Sequence, residues 1–271
     1  MTFHELREGA TGLRAIEALR HVATEAGNLG GQAAGRTNEQ LLERYLDWTE
    51  EAERLLGNVF PEDIVSDLIQ TSNYWAFRAA SGASPRLAPL ILREAEGRRR
   101  ALSELQAELQ AEQDRWQHPP GGATLAVPDT NMFLQAGAPF EHIDWPTALE
   151  SRSIVRVVIP LVVIHELDRL KRQGNNTTST LARTSLRWLQ SNLPMRPSAR
   201  SAKLAAGFPE TTVEAYVQDT PTRPEDADGL IIRFTRQLSR VSELPTKLVT
   251  RDLGMRLRAA GLGVDAVRLP D

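Results

Sequence analysis

The sequence predicts an α/β fold with a central parallel sheet for residues 123–271, preceded by an all-α helical domain in residues 1–118. The first observation is an alternation after residue 122, where short apolar, β-branched runs take turns with segments of helical spacing. Such alternation predicts a parallel sheet covered by helices. The second observation is helical spacing throughout the upstream part. The third is a set of acidic residues at the ends of apolar runs: Asp129, Glu166, Asp228 and Asp252.

Length and composition limit the classes of protein. A chain of 271 residues with 41% hydrophobic content favours two modest cores over one large core. No apolar run approaches the roughly 20 residues that cross a bilayer, and the N-terminus lacks the apolar core of a signal peptide. We therefore expect a cytoplasmic protein without a membrane partner. The chain has no cysteine, which excludes disulfides, thiolate metal sites and a cysteine nucleophile.

Charge divides the chain into two unequal parts. Residues 1–118 carry 13 Arg and no Lys against 19 acidic residues, a net charge of -6. Residues 119–271 carry 19 basic against 16 acidic residues, a net charge of +3. If metal ions neutralise the four carboxylates, the second part presents a basic surface that favours a polyanionic partner.

The sequence HPPGG at residues 118–122 predicts the boundary between the two parts. Two prolines stop a helix and two glycines loosen the chain directly before the first strand-like run. We therefore predict a helical domain at 1–118, a linker at 119–122 and an α/β domain at 123–271.

The helical part contains three predicted helices. One follows Asn38 as its N-cap, a second begins after Pro61, and a long one begins near residues 84–85. The apolar stripe on the long helix fits the interior of a bundle, or a helix pair that dimerises or packs over the active site as a regulator. The glycine-rich residues 27–35 lack the Lys-Ser/Thr pair of a phosphate loop and are interpreted as a flexible connection.

In the α/β part, strands are predicted at 124–127, 155–159, 247–250 and 266–269, with helices at 161–171, 180–190 and 227–240. The ligand crevice of a parallel sheet lies at the carboxyl ends of its strands. Asp129 and Asp252 each follow a strand by two positions. Glu166 comes six residues after Pro160, and Asp228 falls in the first turn of a helix, where the helix dipole favours an anion. Topology should therefore bring the four acids together.

Each acid alone also has a structural explanation, since Asp129, Asp228 and Asp252 suit turn or helix caps and Glu166 suits a helical surface. Their joint order and flanking runs favour a divalent metal site. Hard ions such as Mg²⁺ prefer oxygen ligands. Asp226 is interpreted as a helix cap with a supporting role. His165 is interpreted as a bystander, because adjacent helical residues face different directions.

Four segments together resemble the PIN domain family of metal-dependent nucleases, with a pattern similar to the PIN modules attached to PhoH-type ATPases. They are DTN at 129–131, IPLVVIHELDRLK at 159–171, DGLI at 228–231 and LVTRDLGMRLRA at 248–259. The resemblance implies a three-layer α/β/α sandwich and Mg²⁺- or Mn²⁺-dependent cleavage of RNA phosphodiesters. It makes Asp129, Glu166, Asp228 and Asp252 the catalytic and metal-binding quartet, with Asn131 and Thr250 as orienting neighbours. Glu166 would bind a second ion or position the attacking water.

Substrate contact is predicted for the basic segment that follows the second strand. Residues 169–203 contain eight cations and no acid, a pattern that suits either phosphate contact or a solvated face. Trp188 and Phe208 could stack bases, although the helical spacing of Trp188 favours the core. The polar residues 173–180 are interpreted as a mobile loop near the entrance. The predicted nucleic-acid contacts are Arg169, Lys171, Arg172, Arg183, Arg187 and Arg251.

The resulting hypothesis is a cytoplasmic metal-dependent endoribonuclease that acts on single-stranded RNA. The family implies a homodimer, and the helical domain suits a regulatory protein partner. Three alternatives stay open: a PIN fold that binds nucleic acid or protein without cutting, a nuclease for structured DNA, and a toxin of a toxin–antitoxin pair. The length of the chain weakens the last of these.

Overall fold

The computed structural model describes residues 5–31, 33, 35–80, 86–117, 122–135, 139–194, 201–204, 210–217 and 226–269. Within them the chain forms two compact units. The α/β unit comprises residues 117–239 and 243–269, and the helical unit comprises residues 5–116 and 240–242. Residues 119–121 of the predicted linker lie outside the described residues, so the predicted domain boundary stays a prediction.

The α/β unit contains six strands and five α-helices among its described residues. The strands are β1 (Ala123–Pro128), β2 (Ile154–Pro160), β3 (Ala202–Lys203), β4 (Thr211–Tyr216), β5 (Thr246–Val249) and β6 (Ala266–Val267). The helices are α6 (Trp145–Ala148), α7 (Leu161–Gln173), α8 (Asn176–Asn192), α9 (Ala227–Ser242) and α10 (Leu253–Gly261). Short 3-10 helices cover Thr130–Phe133 and Phe140–His142.

The sheet has the strand order β3-β4-β2-β1-β5-β6, and every pairing is parallel except that of β3 with β4. From β1 the chain proceeds through β2 to β4 on one side and only later to β5 and β6 on the other. The topological switch point therefore lies between β1 and β5, where ligands of open α/β sheets bind. The predicted mostly parallel sheet with flanking helices is confirmed.

Burial explains why the central strands read as continuous apolar runs. All six residues of β1 are buried, and so are six of the seven residues of β2. Helices cover both faces of such a sheet, which leaves no polar side to alternate with the apolar one. One charged pair interrupts the pattern: Arg156 on β2 donates from Nη2 to Glu214 Oε1 on β4 at 2.7 Å.

The helical unit consists of α1 (Gly12–Gly31), α2 (Asn38–Leu56), α3 (Glu62–Ile69), α4 (Ser72–Arg78) and α5 (Leu87–Gln117). Trp48 Nε1 donates to the carbonyl of Val22 at 3.1 Å, which fixes α2 against α1. Tyr45 meets Phe77 edge to face with ring centroids 5.2 Å apart. Of the predicted apolar stripe on α5, all residues are buried except Leu90, which is 48% exposed.

Four details of the predicted helical part are wrong, and one of them is that α4 was not predicted. The N-cap of α2 is Thr37, whose side chain accepts from the backbone N–H of Gln40. The Gln40 side chain in turn accepts from the backbone N–H of Thr37. This reciprocal pairing satisfies two backbone N–H groups at the start of the helix. Asn38 is already inside the helix and is therefore not its N-cap. Helix α1 was not predicted at all. Its last turns contain Gly27–Gly31 of the presumed flexible connection, where buried Leu29 anchors the glycines in the helix.

Two features of the α/β part also differ from the prediction. Residues 173–180 are not a loop, because α8 already begins at Asn176. The Asn175 side chain accepts from Thr178 N at 2.8 Å and caps it. Strands β3 and β4 were missed, since TTVEAY carries Glu214 at a position that is fully buried in the sheet. In the described part of the chain, no helix combines the length and apolar character needed to span a membrane.

Candidate active site

Asp129 lies directly after β1, the strand between β2 and β5. Its backbone N–H donates to the Val249 carbonyl at 3.0 Å, which extends the β1–β5 pairing by one residue. Its Oδ1 accepts from Met132 N at 3.1 Å and caps the 3-10 helix Thr130–Phe133. The carboxylate is held on the switch point and is only 3% exposed.

The Thr250 hydroxyl links the acids that follow β1 and β5. It donates to Asp129 Oδ2 and accepts from the backbone N–H of Asp252 at 3.0 Å. Asp252 in turn caps α10 by accepting from Met255 N at 2.8 Å. Asn131 also donates to Asp129 Oδ2, at 3.5 Å. Thr250 therefore holds the Asp129 carboxylate and the start of α10 by hydrogen bonds, and its role as an orienting residue of a catalytic site stays a prediction.

Burial raises the pKa of the Asp129 carboxyl to about 6, since desolvation disfavours the charged form. The hydrogen bonds from Thr250, Met132 and Asn131 oppose this rise because they favour the carboxylate. Perturbed acids at a crevice are candidates for functional groups.

Glu166 approaches the same edge from α7. Its Oε2 accepts from the Thr130 hydroxyl at 2.5 Å, and its Oε1 accepts from Arg169 Nη2 at 3.3 Å. Thr130 is the residue after Asp129, so Glu166 is fastened to the turn that carries Asp129. The Thr130 hydroxyl therefore ties Glu166 to the residue that follows Asp129, 36 positions away in sequence from Glu166.

Asp226, Asp228 and Arg258 form a charged group between the start of α9 and the second turn of α10. Asp226 caps α9 by accepting from Gly229 N at 2.5 Å. Arg258 Nη2 donates to both oxygens of Asp226, at 3.2 and 3.0 Å, and Arg258 Nη1 lies 3.8 Å from Asp228 Oδ2. The predicted capping role of Asp226 is confirmed.

The pKa of Asp228 is raised, first by partial burial and next by the charge of Asp226. Glu166 and Asp252 add to the rise, whereas Arg258 opposes it. Glu166 and Asp252 therefore lie near enough to Asp228 for their negative charges to act on it. A common site for all four acids stays a prediction.

The structure does not gather three of these carboxylates around one point. In the part of the chain that is described, no group of three His, Asp or Glu side chains stands ready to hold a metal ion. Thr250, Met132, Thr130 and Arg169 instead occupy the oxygens of Asp129 and Glu166. The donor chemistry nevertheless fits a hard divalent cation, because all four side chains offer oxygen and their mutual repulsion calls for positive charge. The quartet as a ligand set stays a prediction.

Aromatic packing holds the turn after Asp129 in place. Phe133 stacks on Phe140 with ring centroids 4.3 Å apart, and Phe140 meets Trp145 and Trp188 edge to face. Ser185 on α8 donates to the Phe133 carbonyl at 2.7 Å. Trp188 thus packs in an apolar cluster, as its spacing predicted, while Phe208 lies outside the described residues.

The predicted nucleic-acid contacts lie in three places. On α7, Arg169 pairs with Glu166, whereas Lys171 and Arg172 both pair with Asp168. Arg183 and Arg187 are exposed on α8. Arg251 is partly buried between Thr250 and Asp252. The segment that looked uniformly basic is therefore partly neutralised by the two acids just upstream of it.

Sequence reasoning missed two residues of the site. Thr130 lies inside the DTN motif but was not predicted as a site residue. Its position directly after Asp129 could have indicated it. Arg258 lies six residues after Asp252, and only the packing of α10 beside α9 brings it to Asp226. His165 is exposed on α7 and makes no contact with the acids among the described residues, consistent with a bystander.

A family model described as the PIN domain matches residues 126–269, more than half of the chain. The chain belongs to the PIN domain family. The match extends from the last three residues of β1 to the end of β6 and includes all four predicted acids. Among curated proteins, none matches the sequence. A closer likeness to PhoH-type PIN modules stays a prediction.

PIN domains are in general metal-dependent nucleases, which makes a nucleic acid the expected class of substrate and a divalent metal the expected cofactor. The match extends over the α/β unit and does not reach α1 to α5.

Proposed function

We propose that this PIN domain is a divalent-metal-dependent endoribonuclease that hydrolyses RNA phosphodiester bonds at the carboxyl edge of its sheet. The observation that carries the proposal is the placement of Asp129. Its carboxylate is buried at the switch point between β1 and β5, and Thr250 and Met132 fix both of its oxygens. Burial of this carboxylate carries a desolvation penalty, which is more typical of a functional site than of a turn cap.

Asp129, Asp228 and Asp252 would hold the ion, and Glu166 would complete the shell of a second ion or orient the attacking water. Bound Mg²⁺ or Mn²⁺ supplies positive charge that favours ionisation of water and stabilises the leaving oxygen. Thr250 keeps Asp129 aimed by its hydrogen bond and keeps the start of α10 in register with it. Thr130 does the same for Glu166. These hydroxyls reduce the reorganisation that the site needs when it is loaded.

RNA would approach along α7 and α8, where the cations of the basic segment are. The exposed Arg183 and Arg187 suit phosphate contact, and Arg169, Lys171 and Arg172 would exchange acid partners for phosphates. Arg251 lies beside Asp252 and is proposed as a contact close to the scissile phosphate. A homodimer and a regulatory partner of the helical unit remain part of the proposal, as does a cytoplasmic location.

The test is cleavage of an end-labelled, mixed-sequence single-stranded RNA by the purified full chain in Mn²⁺, Mg²⁺ or EDTA. We expect fragments that require metal and that Asp129→Asn reduces by at least about a hundredfold, as for loss of a principal electrostatic group in catalysis. The matched control is Asp265→Asn. It makes the same chemical change on an exposed aspartate just before β6, at the opposite edge of the sheet.

Single-stranded and flap-containing DNA of the same sequence run in parallel. Faster cleavage of DNA than of RNA would overturn the choice of substrate, and equal inertness of wild type and Asp129→Asn in both metals would overturn the nuclease. Retained RNA affinity in the latter case would identify a binding module.

A further inference from the structure

The guanidinium of Arg258 occupies the space between the two acids that begin α9. Nη2 donates to both oxygens of Asp226, at 3.2 and 3.0 Å, while Nη1 lies 3.8 Å from Asp228 Oδ2. Each of its two terminal nitrogens thus faces a different carboxylate. Arginine presents these donors in a rigid planar fork, so one side chain can serve both acids at once.

A glycine at position 229 leaves space beside the Asp226–Arg258 ion pair. Gly229 is the first glycine of α9, and a Cβ atom there would lie 2.5 Å from Asp226 Oδ1 and 3.4 Å from Arg258 Nη2. The first distance is too short for any side chain unless the carboxylate moves. The glycine of the DGLI segment therefore leaves room for the Asp226 carboxylate and for the guanidinium that binds it.

The charges around Arg258 are mostly acidic. Asp226 lies on one side of Asp228, and the negative charges of Glu166 and Asp252 also act on Asp228. Arg169 forms an ion pair with Glu166 on α7. Arg258 is consequently the cation that the described contacts assign to the Asp226–Asp228 end of the site.

We propose that Arg258 is an internal counter-ion that holds Asp226 and Asp228 before a metal binds and competes with the divalent cation for them. This inference rests on the proposed function, because it assigns the competing cation to the proposed metal site. Arg258 is a positioning residue in this scheme. It keeps the two carboxylates together while the site is empty, and it must release Asp228 as the ion enters.

The competing explanation is a salt bridge that merely joins α9 to α10. The two explanations predict opposite effects on metal affinity. Loss of a structural tie would loosen Asp228 and weaken metal binding, whereas loss of a competing cation leaves the acids unpaired and tightens it. The side chains are roughly half exposed, so the pair itself contributes little to folding and the variants should fold.

The experiment measures Mn²⁺ binding to the full chain through the loss of the free-ion electron paramagnetic resonance signal, which does not depend on cleavage. We expect Arg258→Met to bind Mn²⁺ about threefold to fivefold more tightly than wild type at low ionic strength, the range of one partly exposed ion pair. Arg258→Lys keeps the charge and should stay within about twofold of wild type. The gain of Arg258→Met should shrink in high salt.

The matched control is Arg152→Met, which changes an exposed arginine just before β2, at the edge of the sheet opposite the acids. This change removes one positive charge from the α/β unit far from Asp226 and Asp228. Its Mn²⁺ affinity should remain near that of wild type. An equal gain for both variants would overturn the proposal, since the effect would then reflect net charge alone.

Failure of this inference differs from failure of the proposed function. If wild type binds Mn²⁺ and Asp129→Asn does not, the site exists, and weaker or unchanged binding by Arg258→Met overturns only the counter-ion. If neither wild type nor Arg258→Met binds Mn²⁺, the metal site itself is wrong and the inference falls with it. Binding by Arg258→Met alone would support the counter-ion most strongly.

Discussion

At the scale of single residues, the Asp129 carboxyl group combines deep burial with hydrogen bonds that its charged form needs. Desolvation raises its pKa to about 6, and the bonds from Thr250, Met132 and Asn131 only partly oppose that rise. A charged group in such a position lowers the stability of the metal-free protein near neutral pH. Bound cation would relieve the penalty, because opposite charge favours the carboxylate.

The first prediction concerns pH and the metal-free fold. Because the folded pKa of Asp129 lies above its ordinary value of 3.8, the contribution of this group to stability is complete below pH 3.8 and is lost as the pH rises through about 6. In EDTA, Asp129→Asn should therefore be more stable than wild type at pH 7.5, by at most about 3 kcal/mol at 1.4 kcal/mol per pKa unit. Urea unfolding at several pH values measures the difference.

The difference between the two proteins should become smallest below pH 3.8, where Asp129 is neutral in both the folded and the unfolded state. Comparison of the pair removes the contribution of Asp228, whose pKa is also raised. A difference that stays constant from pH 4 to 7.5 would contradict the assignment to Asp129.

A second prediction concerns the hydroxyl of Thr250. Thr250→Val removes the donor to Asp129 Oδ2 and the acceptor for Asp252 N while it keeps the shape of the side chain. We expect metal affinity or activity to fall about 10- to 100-fold, as is typical when a group that orients a ligand is lost. The acidic limb of the pH–rate profile should move to higher pH, since that bond lowers the Asp129 pKa.

Thr250→Ser supplies the matched control because it restores the hydroxyl without the methyl group. Recovery of both the rate and the pH profile by Ser is expected. If Val and Ser behave alike, packing of the methyl group and not the hydrogen bond is what matters.

At the scale of elements, the helices determine which cations face solvent without an acid beside them. On α7, i,i+3 spacing pairs Glu166 with Arg169, and i,i+3 and i,i+4 spacing pairs Asp168 with Lys171 and Arg172. Helix α8 begins at Asn176, one turn earlier than residues 180–190 suggested, which extends the regular face that presents Arg183 and Arg187. The two helices should therefore contribute unequally to phosphate binding.

The third prediction compares these two helices. Arg187 is exposed and, within the described residues, belongs to no ion pair, whereas Arg172 must leave Asp168 before it can bind phosphate. Arg187→Ala should weaken binding of single-stranded RNA more than Arg172→Ala does. It should also reduce the slope of log affinity against log salt by about 0.7, the value for one phosphate contact on a single strand.

Fluorescence anisotropy with labelled RNA in EDTA, over a range of salt concentrations, separates binding from cleavage. Equal slopes for Arg187→Ala and wild type would remove Arg187 from the proposed RNA path.

At the scale of the whole molecule, two units of different charge share one chain. The helical part has an excess of acidic residues and the α/β part an excess of basic residues, so the overall net charge of -3 describes neither. All four predicted ligands and Arg258 belong to the α/β unit. Effects of metal on stability should therefore be confined to that unit.

The fourth prediction tests this separation by hydrogen–deuterium exchange. Mn²⁺ at a hundred times its dissociation constant should stabilise the unit that binds it by about 2.7 kcal/mol. Peptides from β1, β5 and the start of α10 should exchange more slowly in Mn²⁺ than in EDTA, while peptides from α2 and α3 should not change. Asp129→Asn should abolish the effect, and protection of α2 and α3 equal to that of β1 would contradict it.

The central strands of the sheet could be predicted from the sequence because their apolar runs follow from the burial of each strand. Short apolar runs are typical of parallel strands covered on both faces, so β1, β2 and β5 could be located within a few residues. Strand β4 was not predicted because Glu214 breaks its apolar run, and the Arg156 partner that balances this buried charge lies 58 residues away in sequence. The first turn of α8 was predicted as a loop because Asn and Thr favour loops unless one of them caps a helix.

For the site, the sequence determined which acids end the apolar runs and therefore which edge of the sheet they occupy. This follows from chain direction, since parallel strands bring their carboxyl ends to one edge. Tertiary structure alone decided what each acid contacts: Thr130 on Glu166, Thr250 on Asp129, and Arg258 between Asp226 and Asp228. Those contacts join residues 32 to 121 positions apart, and no local spacing encodes them, because they depend on how α7, α9 and α10 pack at the edge of the sheet.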